Sequence, residues 1–348
     1  MTGGDTSRVG AVVDTARVDT VRDTADDPHE RPAPDVITVT LSPARDITIS
    51  TQHLDPGRSH RIDPAAGRLG GKGINVARVL ASIGTAAYVQ GPVSREHWPE
   101  SDGRRCADSS TDIEPVWDLT PSSTRLRCSY AVVEESGRAT VLNERAPAQT
   151  PTVWTALTET IMRRLRETSV SVLVISGSTP ADCPDDFHAG LVGAAHAAGV
   201  SVIVDTSGPA LLTAARAGAD WVKPNDEELK ELFAHEDATT SARELVGLGA
   251  HRVLVSRGEA GMVLVDGNGT RWSARLRRVL RGNPTGAGDA AVAALAHHLV
   301  ESPDSGWMSE GSVRDMVALS ASAVLMPQAG RIHPDWKNLR TDVSLERA

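Results

Sequence analysis

Asn283-Pro284-Thr285-Gly286-Ala287-Gly288-Asp289 sets a carboxylate directly after a glycine-rich turn, and an apolar helical run follows over 290–300. Such a turn points the backbone N–H groups of Gly286, Ala287 and Gly288 at whatever lies before the helix, where negative charge is stabilised. Asp289 stands at the same spot. A base beside an anion site is the equipment for moving a phosphoryl group onto a hydroxyl. Taken alone, the motif has two other readings. Gly286-Ala287-Gly288-Asp289-Ala290-Ala291 fits the G-x-G-x-x-A form of a dinucleotide turn, although no clear strand precedes it and a carboxylate inside it would repel a pyrophosphate. It also fits a glycine turn in which Asp289 only caps the helix.

A second glycine cluster, Gly70-Gly71-Lys72-Gly73-Ile74-Asn75, opens another helix. Adjacent glycines such as Gly71 let a ligand come close to the backbone. Lys72 suits a phosphate and Asn75 a hydroxyl. The cluster is not a Walker A loop, because Gly73 follows Lys72 where Ser or Thr is required. A flexible turn before a helix is the plain alternative.

These residues need a scaffold, and the chain supplies one from residue 36 onward. Val36-Ile37-Thr38-Val39-Thr40-Leu41 reads as a strand. Ile74, Ala77, Val79, Leu80 and Ile83 recur at helical spacing, and Gly84 ends that helix. Arg127–Glu134 and Ala139–Asn143 flank the turn Glu135-Ser136-Gly137-Arg138 as a β-hairpin. Beyond it, strands at 170–175, 201–205, 252–256 and 262–265 alternate with helices at 153–167, 184–198, 209–217, 226–235, 290–300 and 313–326. That alternation predicts a parallel sheet covered on both faces, with ligands at the carboxyl ends of its strands. Residues 94–123 are polar and turn-rich with weak periodicity.

Composition narrows the function. Of 348 residues 40% are hydrophobic and only 3% aromatic, so aliphatic and alanine packing must build the core. A formal charge of -9 argues against nucleic-acid binding. Cys106, Cys128 and Cys183 are scattered, which points away from a disulfide framework or zinc site and toward a cytoplasmic location. No run approaches the length of a membrane span, and no secretory signal is visible. Residues 1–35 read as a disordered tail and 341–348 as a short C-terminal one.

The two glycine clusters together resemble the signatures of the ribokinase/PfkB family of carbohydrate kinases. Val222-Lys223-Pro224-Asn225-Asp226-Glu227-Glu228-Leu229 is similar to its Asn-x-x-Glu motif, and Val255-Ser256-Arg257-Gly258-Glu259-Ala260-Gly261 to its nucleotide loop. Ser176-Gly177-Ser178-Thr179-Pro180 and Asp205-Thr206-Ser207-Gly208 fit the loops between. Thr40-Leu41-Ser42-Pro43-Ala44-Arg45-Asp46, Thr124-Arg125, Leu142-Asn143-Glu144 and Asn283-Pro284 resemble the phosphosugar branch, which holds the 1-phosphofructokinases and tagatose-6-phosphate kinases.

The resemblance implies a ribokinase-like three-layer α/β sandwich over 36–340, with a mostly parallel central sheet and a small β-sheet lid from about 47–62 and 124–145. It implies ATP-dependent phosphorylation of a hexose phosphate, foremost fructose 1-phosphate to fructose 1,6-bisphosphate. Tagatose 6-phosphate, fructose 6-phosphate or a catalytically weak sugar-phosphate-binding regulator are the alternatives. It gives Asp289 the role of base, with Gly286, Ala287 and Gly288 as anion site. Asp46, Gly71, Asn75 and Glu144 would hold the sugar, and Lys72 and Arg125 the phosphate it already carries. Lys223, Asn225, Ser256, Gly258 and Gly261 would line the ATP site, and Asn225 and Glu228 would organise Mg²⁺. Asn225 and Glu228 also fit a plain helix cap. Pairing of two copies through the lid is a further expectation.

Three features depart from the branch. Ser42 stands where Asn is usual, Ala290 follows the base where Ser is common, and the 94–123 segment is short and polar. Each puts substrate preference or rate in question.

Overall fold

The computed structural model describes Met1 and residues 33–65, 67–99, 113–167, 169–233, 235, 237–303 and 308–347. Most of the tail expected over 1–35, and Cys106, lie outside the described residues. Residues 33–35 already belong to the body: Asp35 N–H donates to Ala86 O at 3.2 Å, and Asp35 O accepts from Ser171 N–H at 2.9 Å.

In chain order the strands are β1 (Val36–Val39), β2 (Ala44–Thr51), β3 (Gly67–Gly70), β4 (Ala87–Gln90), β5 (Pro92–Val93), β6 (Val116–Trp117), β7 (Thr120–Pro121), β8 (Arg127–Glu134), β9 (Ala139–Asn143), β10 (Val172–Ser176), β11 (Ser201–Asp205), β12 (Trp221–Val222), β13 (Arg252–Ser256), β14 (Met262–Asp266), β15 (Gly269–Leu276) and β16 (Val343–Arg347). The helices are α1 (Lys72–Ser82), α2 (Pro151–Arg164), α3 (Phe187–Ala197), α4 (Pro209–Arg216), α5 (Asp226–Phe233), α6 (Ala238–Leu248), α7 (Ala287–Glu301), α8 (Glu310–Val324) and the single turn α9 (Trp336–Leu339).

Ten strands form the main sheet in the order β16-β15-β14-β13-β12-β11-β10-β1-β4-β6. From β13 to β6 all neighbours run parallel, while β14, β15 and β16 are added antiparallel. The two-residue period of a strand sends alternate side chains to opposite faces. In β10, Leu173 and Ile175 join the core under α2 to α6, and Val172 and Val174 join the core under α1, α7 and α8. Both faces are covered, so the central strands read as continuous apolar runs. Each such Leu, Ile or Val taken fully from water contributes roughly 1.5–3 kcal/mol. The scarcity of aromatics is met in α7, where Ala290, Ala291, Ala293 and Ala296 are fully buried and let helices approach closely.

Four strands make the lid, in the order β3-β2-β8-β9, with β2 and β8 parallel. The hairpin forms as the sequence predicts. The segment expected as lid over 47–62 does not: β2 starts at Ala44 and stops at Thr51, and 52–65 is a loop bearing Asp55-Pro56-Gly57, with Gly57 at φ 81°. The missing strand is β3, whose two glycines hid it.

The C-terminal tail expected over 341–348 is corrected as well. Residues 343–347 are the edge strand β16, paired with β15, and Val343 is fully buried. Strands β12 and β15 and helix α6 are additional to the sequence reading. In 94–123, β5 and β7 pair with each other and β6 extends the main sheet. Cys128 and Cys183 are free thiols. No helix among the described residues is long and apolar enough to cross a membrane.

Candidate active site

The parallel arrangement of β10 to β13 brings their carboxyl ends side by side, and the candidate residues gather there. Ser176 and Asp205 end neighbouring strands and are direct partners in register. Lys223 follows β12, Ser256 ends β13, and α1 and α7 present their N-termini to the same region.

Asp289 lies in the first turn of α7 and is 5% exposed. Its Oδ2 accepts from Asn75 Nδ2 at 2.9 Å, which ties the two glycine clusters together. Gly286 takes the left-handed conformation, φ 94°, and a Cβ there would press on Ala329 Cα at 2.9 Å. Only glycine serves at that position. The N–H of Ala287 closes the turn onto Pro284 O at 3.2 Å. Gly288, one residue on, lies in the first turn where an N–H has no intrahelical acceptor. Burial first, and then the charge of Asp205, push the Asp289 carboxyl up to about 6, against the pull of Lys72, Asn75 and Lys223. Ala290 faces the helix core and is fully buried, so the hydroxyl missing there is missing from a packing surface.

Asp205 is the residue the sequence reading passed over. In sequence it only opens a loop, yet it is fully buried and holds two cations. Lys223 Nζ lies 3.2 Å and Lys72 Nζ 3.5 Å from its Oδ1, while Ser176 Oγ donates to Oδ2 at 2.8 Å. Burial works to raise the Asp205 carboxyl, but the Lys223 and Lys72 charges outweigh it and hold it below the usual range. Lys72 in turn is raised, chiefly by Asp205. The usable signal was its position: an acid ending an apolar strand of a parallel sheet faces the ligand edge. Lys223 also reaches the anion turn, since a Cβ on Gly288 would sit 3.4 Å from its Nζ.

Asn225 and Glu228 form a reciprocal cap on α5. Asn225 N–H donates to Glu228 Oε2 at 2.9 Å, and Glu228 N–H donates to Asn225 Oδ1 at 2.8 Å. The cap leaves Glu228 Oε1 facing Lys72 Nζ at 4.0 Å.

On the lid side, Gly70 has no side chain because the Asp46 carboxylate occupies that space. Burial raises the Asp46 carboxyl, opposed by Arg68, Arg78 and Arg127 and by the Gly71 N–H. Arg127 donates from Nε to Ser42 Oγ at 2.7 Å, so the Ser42 hydroxyl serves to orient an arginine. Arg125 is two-thirds exposed and pairs with Glu144 at 2.7 Å. The two cations expected at one phosphate, Lys72 and Arg125, are thus held by different carboxylates, Asp205 and Glu144.

A cavity of about 540 Å³ opens beside the anion turn, lined by Ser256, Gly258, Gly261 and Gly288 and walled by Val317 and Ala321 of α8. A narrow cleft joins Asp46, Arg68 and Ser129 of the lid to Asn283 and Thr285 of the body. The arrangement offers a buried base near a narrow polar cleft and a larger cavity, with two lysines close by.

A family model described as pfkB family carbohydrate kinase matches residues 44–336. A 1-phosphofructokinase from Xanthomonas campestris pv. campestris is 32% identical over 320 residues, covering 86% of this chain and 94% of that protein. The crystal structure of phosphofructokinase-2 from Escherichia coli in complex with fructose-6-phosphate is similar with a TM-score of 0.71 and 27% identity, over 89% of this chain and 99% of that one. Arabidopsis thaliana ribokinase complexed with ribose and ATP shares the fold, with a TM-score of 0.60 and 19% identity over 89% and 98% of the two chains.

Proposed function

The chain belongs to the pfkB family of carbohydrate kinases, and from that premise we propose that it transfers the γ-phosphoryl group of ATP to fructose 1-phosphate, giving fructose 1,6-bisphosphate and ADP. The observation that carries the reading is Asp289, a buried carboxylate held by Asn75 beside the glycine turn and within the field of two lysines. The choice of sugar phosphate is supported by the 1-phosphofructokinase relative.

In this reading the sugar's free primary hydroxyl lies against Asp289. As its oxygen bonds to the γ-phosphorus, the proton passes to the Asp289 carboxylate and the bond to the β-phosphate oxygen breaks. The N–H groups of Gly286, Ala287 and Gly288 stabilise charge on the transferred group. Ala287 joins by sharing or releasing its bond to Pro284. Lys223 supports that charge from the ATP side. Asp46, Gly71 and Asn75 position the sugar. Lys72 and Arg125 take the phosphate already present, with Arg125 exchanging Glu144 for it. Ser256, Gly258 and Gly261 carry the nucleotide. The lid keeps water from competing for the phosphoryl group.

Carbohydrate kinases of this family take ATP and typically Mg²⁺. The residues here fit such an ion: the cap engages Glu228 Oε2 and Asn225's one side-chain oxygen, and leaves Glu228 Oε1 as a hard donor. Few protein oxygens remain, which suits an ion that keeps most of its waters. Bound there, Mg²⁺ would neutralise charge on the phosphate oxygens.

A coupled ADP-release assay over a panel of sugars and sugar phosphates tests the reading. Fructose 1-phosphate should give the highest kcat/KM. Preference for a free sugar, or no ADP with any phosphosugar, overturns it. We further propose that two copies pair through the lid, whose outer strand β9 exposes Val141 and Leu142, to be checked by light scattering. The cytoplasm is the compartment this reading favours.

A further inference from the structure

The tip of the lid hairpin reaches beyond the sugar cleft. Ser136, Gly137 and Arg138, the turn between β8 and β9, line the mouth of the cavity that Ser256, Gly258 and Gly288 line from the body. The approach is backbone on backbone. A Cβ on Gly137 would lie 2.9 Å from Gly282 N and 3.4 Å from Arg281 Cβ. Gly282 is pressed on its other side against α8, where a Cβ would collide with Val324 O. The hairpin tip, the 281–282 segment that enters the anion turn, and the end of α8 therefore stack with no side chain between them. Gly137 also needs its left-handed φ of 83°.

The tip is stiff. The Glu134 side chain, 2% exposed, is held by Arg138 Nε at 2.5 Å and His53 Nδ1 at 2.8 Å. Gly137 N–H donates to Glu134 O at 2.8 Å, and Glu134 N–H to Arg138 O at 2.9 Å. These bonds tie the turn to the lid strands. Docked, the turn brings Arg138, already paired with Glu134, to a mouth that carries Arg281 and also Arg278, whose Nε lies 3.0 Å from Asp342 Oδ2; a polyphosphate would have to compete with these carboxylates for the arginines.

We propose that the turn 136–138 completes the nucleotide site, and that Gly137 is a positioning residue whose bare backbone lets the lid dock on the 281–282 segment. ATP and the lid-held sugar phosphate then each bind more tightly when the other is present, because both favour the docked lid and such coupling is reciprocal. The inference rests on the kinase reading above.

The test is calorimetric titration of a non-hydrolysable ATP analogue with Mg²⁺ into wild type, Gly137→Ala and Gly57→Ala, each with and without fructose 1-phosphate. Gly57, in the lid loop, has the same left-handed backbone (φ 81°) but nothing within 4 Å of an added Cβ. It therefore carries the strain of the substitution without the collision. Gly137→Ala should weaken analogue binding about fivefold or more and abolish its enhancement by the sugar phosphate. KM for ATP, read with sugar phosphate present, should rise by at least that factor. Without nucleotide the sugar phosphate should also bind more weakly, since it favours the same docked lid, and Gly57→Ala should match wild type. Unchanged analogue binding in Gly137→Ala, or an equal loss in Gly57→Ala, overturns the inference alone. Failure of wild type to bind the analogue overturns the kinase reading with it.

Discussion

Asn75 Nδ2 lies 2.9 Å from Asp289 Oδ2 and joins the first turns of α1 and α7 across 214 positions of sequence. The bond fixes one oxygen of the carboxylate and leaves the other for a substrate proton. It also makes Asn75 a partner of the base as well as a sugar ligand.

Replacing the base is the first prediction. Asp289→Asn keeps the shape and can still meet Asn75, but it accepts no proton, so kcat should fall by about 10²–10⁴-fold or more. Near-normal turnover in this variant sinks the assignment.

Stability should move the other way. The Asp289 carboxyl is higher in the folded protein than its unfolded value, so its ionisation opposes folding. The contribution to stability is intact below the unfolded value of 3.8 and declines as pH rises through about 6. Asp289→Asn should therefore raise Tm at pH 8, by up to about 3 kcal/mol of stability, and the gain should vanish near pH 4. A Tm difference independent of pH contradicts this.

The same group sets the acid limb of the rate. kcat/KM should fall about tenfold per pH unit below roughly 6. Lys72 lowers the Asp289 carboxyl and Asp205 raises it, so Lys72→Met should move the limb to higher pH and Asp205→Asn to lower pH. Steady-state pH profiles read both shifts, and shifts of the same sign would rule out the arrangement.

Glu228 has two tasks that one substitution separates. Gln accepts the Asn225 N–H as Glu does, so Glu228→Gln should keep the cap and Tm. It loses the charge offered to a cation, so the Mg²⁺ concentration for half-maximal activity should rise. Glu228→Ala should lose the charge and the acceptor for Asn225 N–H, at a cost of about 0.5–1.5 kcal/mol, while the bond from the residue 228 N–H to Asn225 Oδ1 remains. Equal Mg²⁺ dependence in Glu228→Gln and wild type removes Glu228 from the metal site.

Arg125 and Glu144 form an exposed pair, and such pairs contribute little to stability. Arg125→Ala should leave Tm unchanged while raising KM for the phosphosugar more than it lowers kcat. An unaltered KM moves the phosphate elsewhere, and Arg127 and Arg68, around Asp46, are the next candidates.

Much of this site was legible because its chemistry is local in sequence. Glycine turns before helices, the hairpin, and the apolar strands each announce themselves through spacing. Asp205 did not, because its meaning comes from Lys72 and Lys223, which reach it only after β10, β11 and β12 are laid side by side. The lid strand β3 was hidden by glycines, and β16 by its distance in sequence from β15, the strand it pairs with. Arg127 and Arg68 were illegible for a similar reason: their carboxylate, Asp46, lies on a different strand.

The pairing of Ser176 with Asp205 in the β10–β11 register carries a last consequence. Successive strand residues face opposite ways, so a one-residue slip would turn Asp205 to the α2–α6 face, away from Lys72. A slipped molecule would keep its helices, and far-UV spectra would scarcely differ, but the two lysines would lose their counter-ion. Specific activity is therefore a proofreading signal for strand alignment, and the active fraction of a refolded preparation counts the molecules that closed the sheet in register.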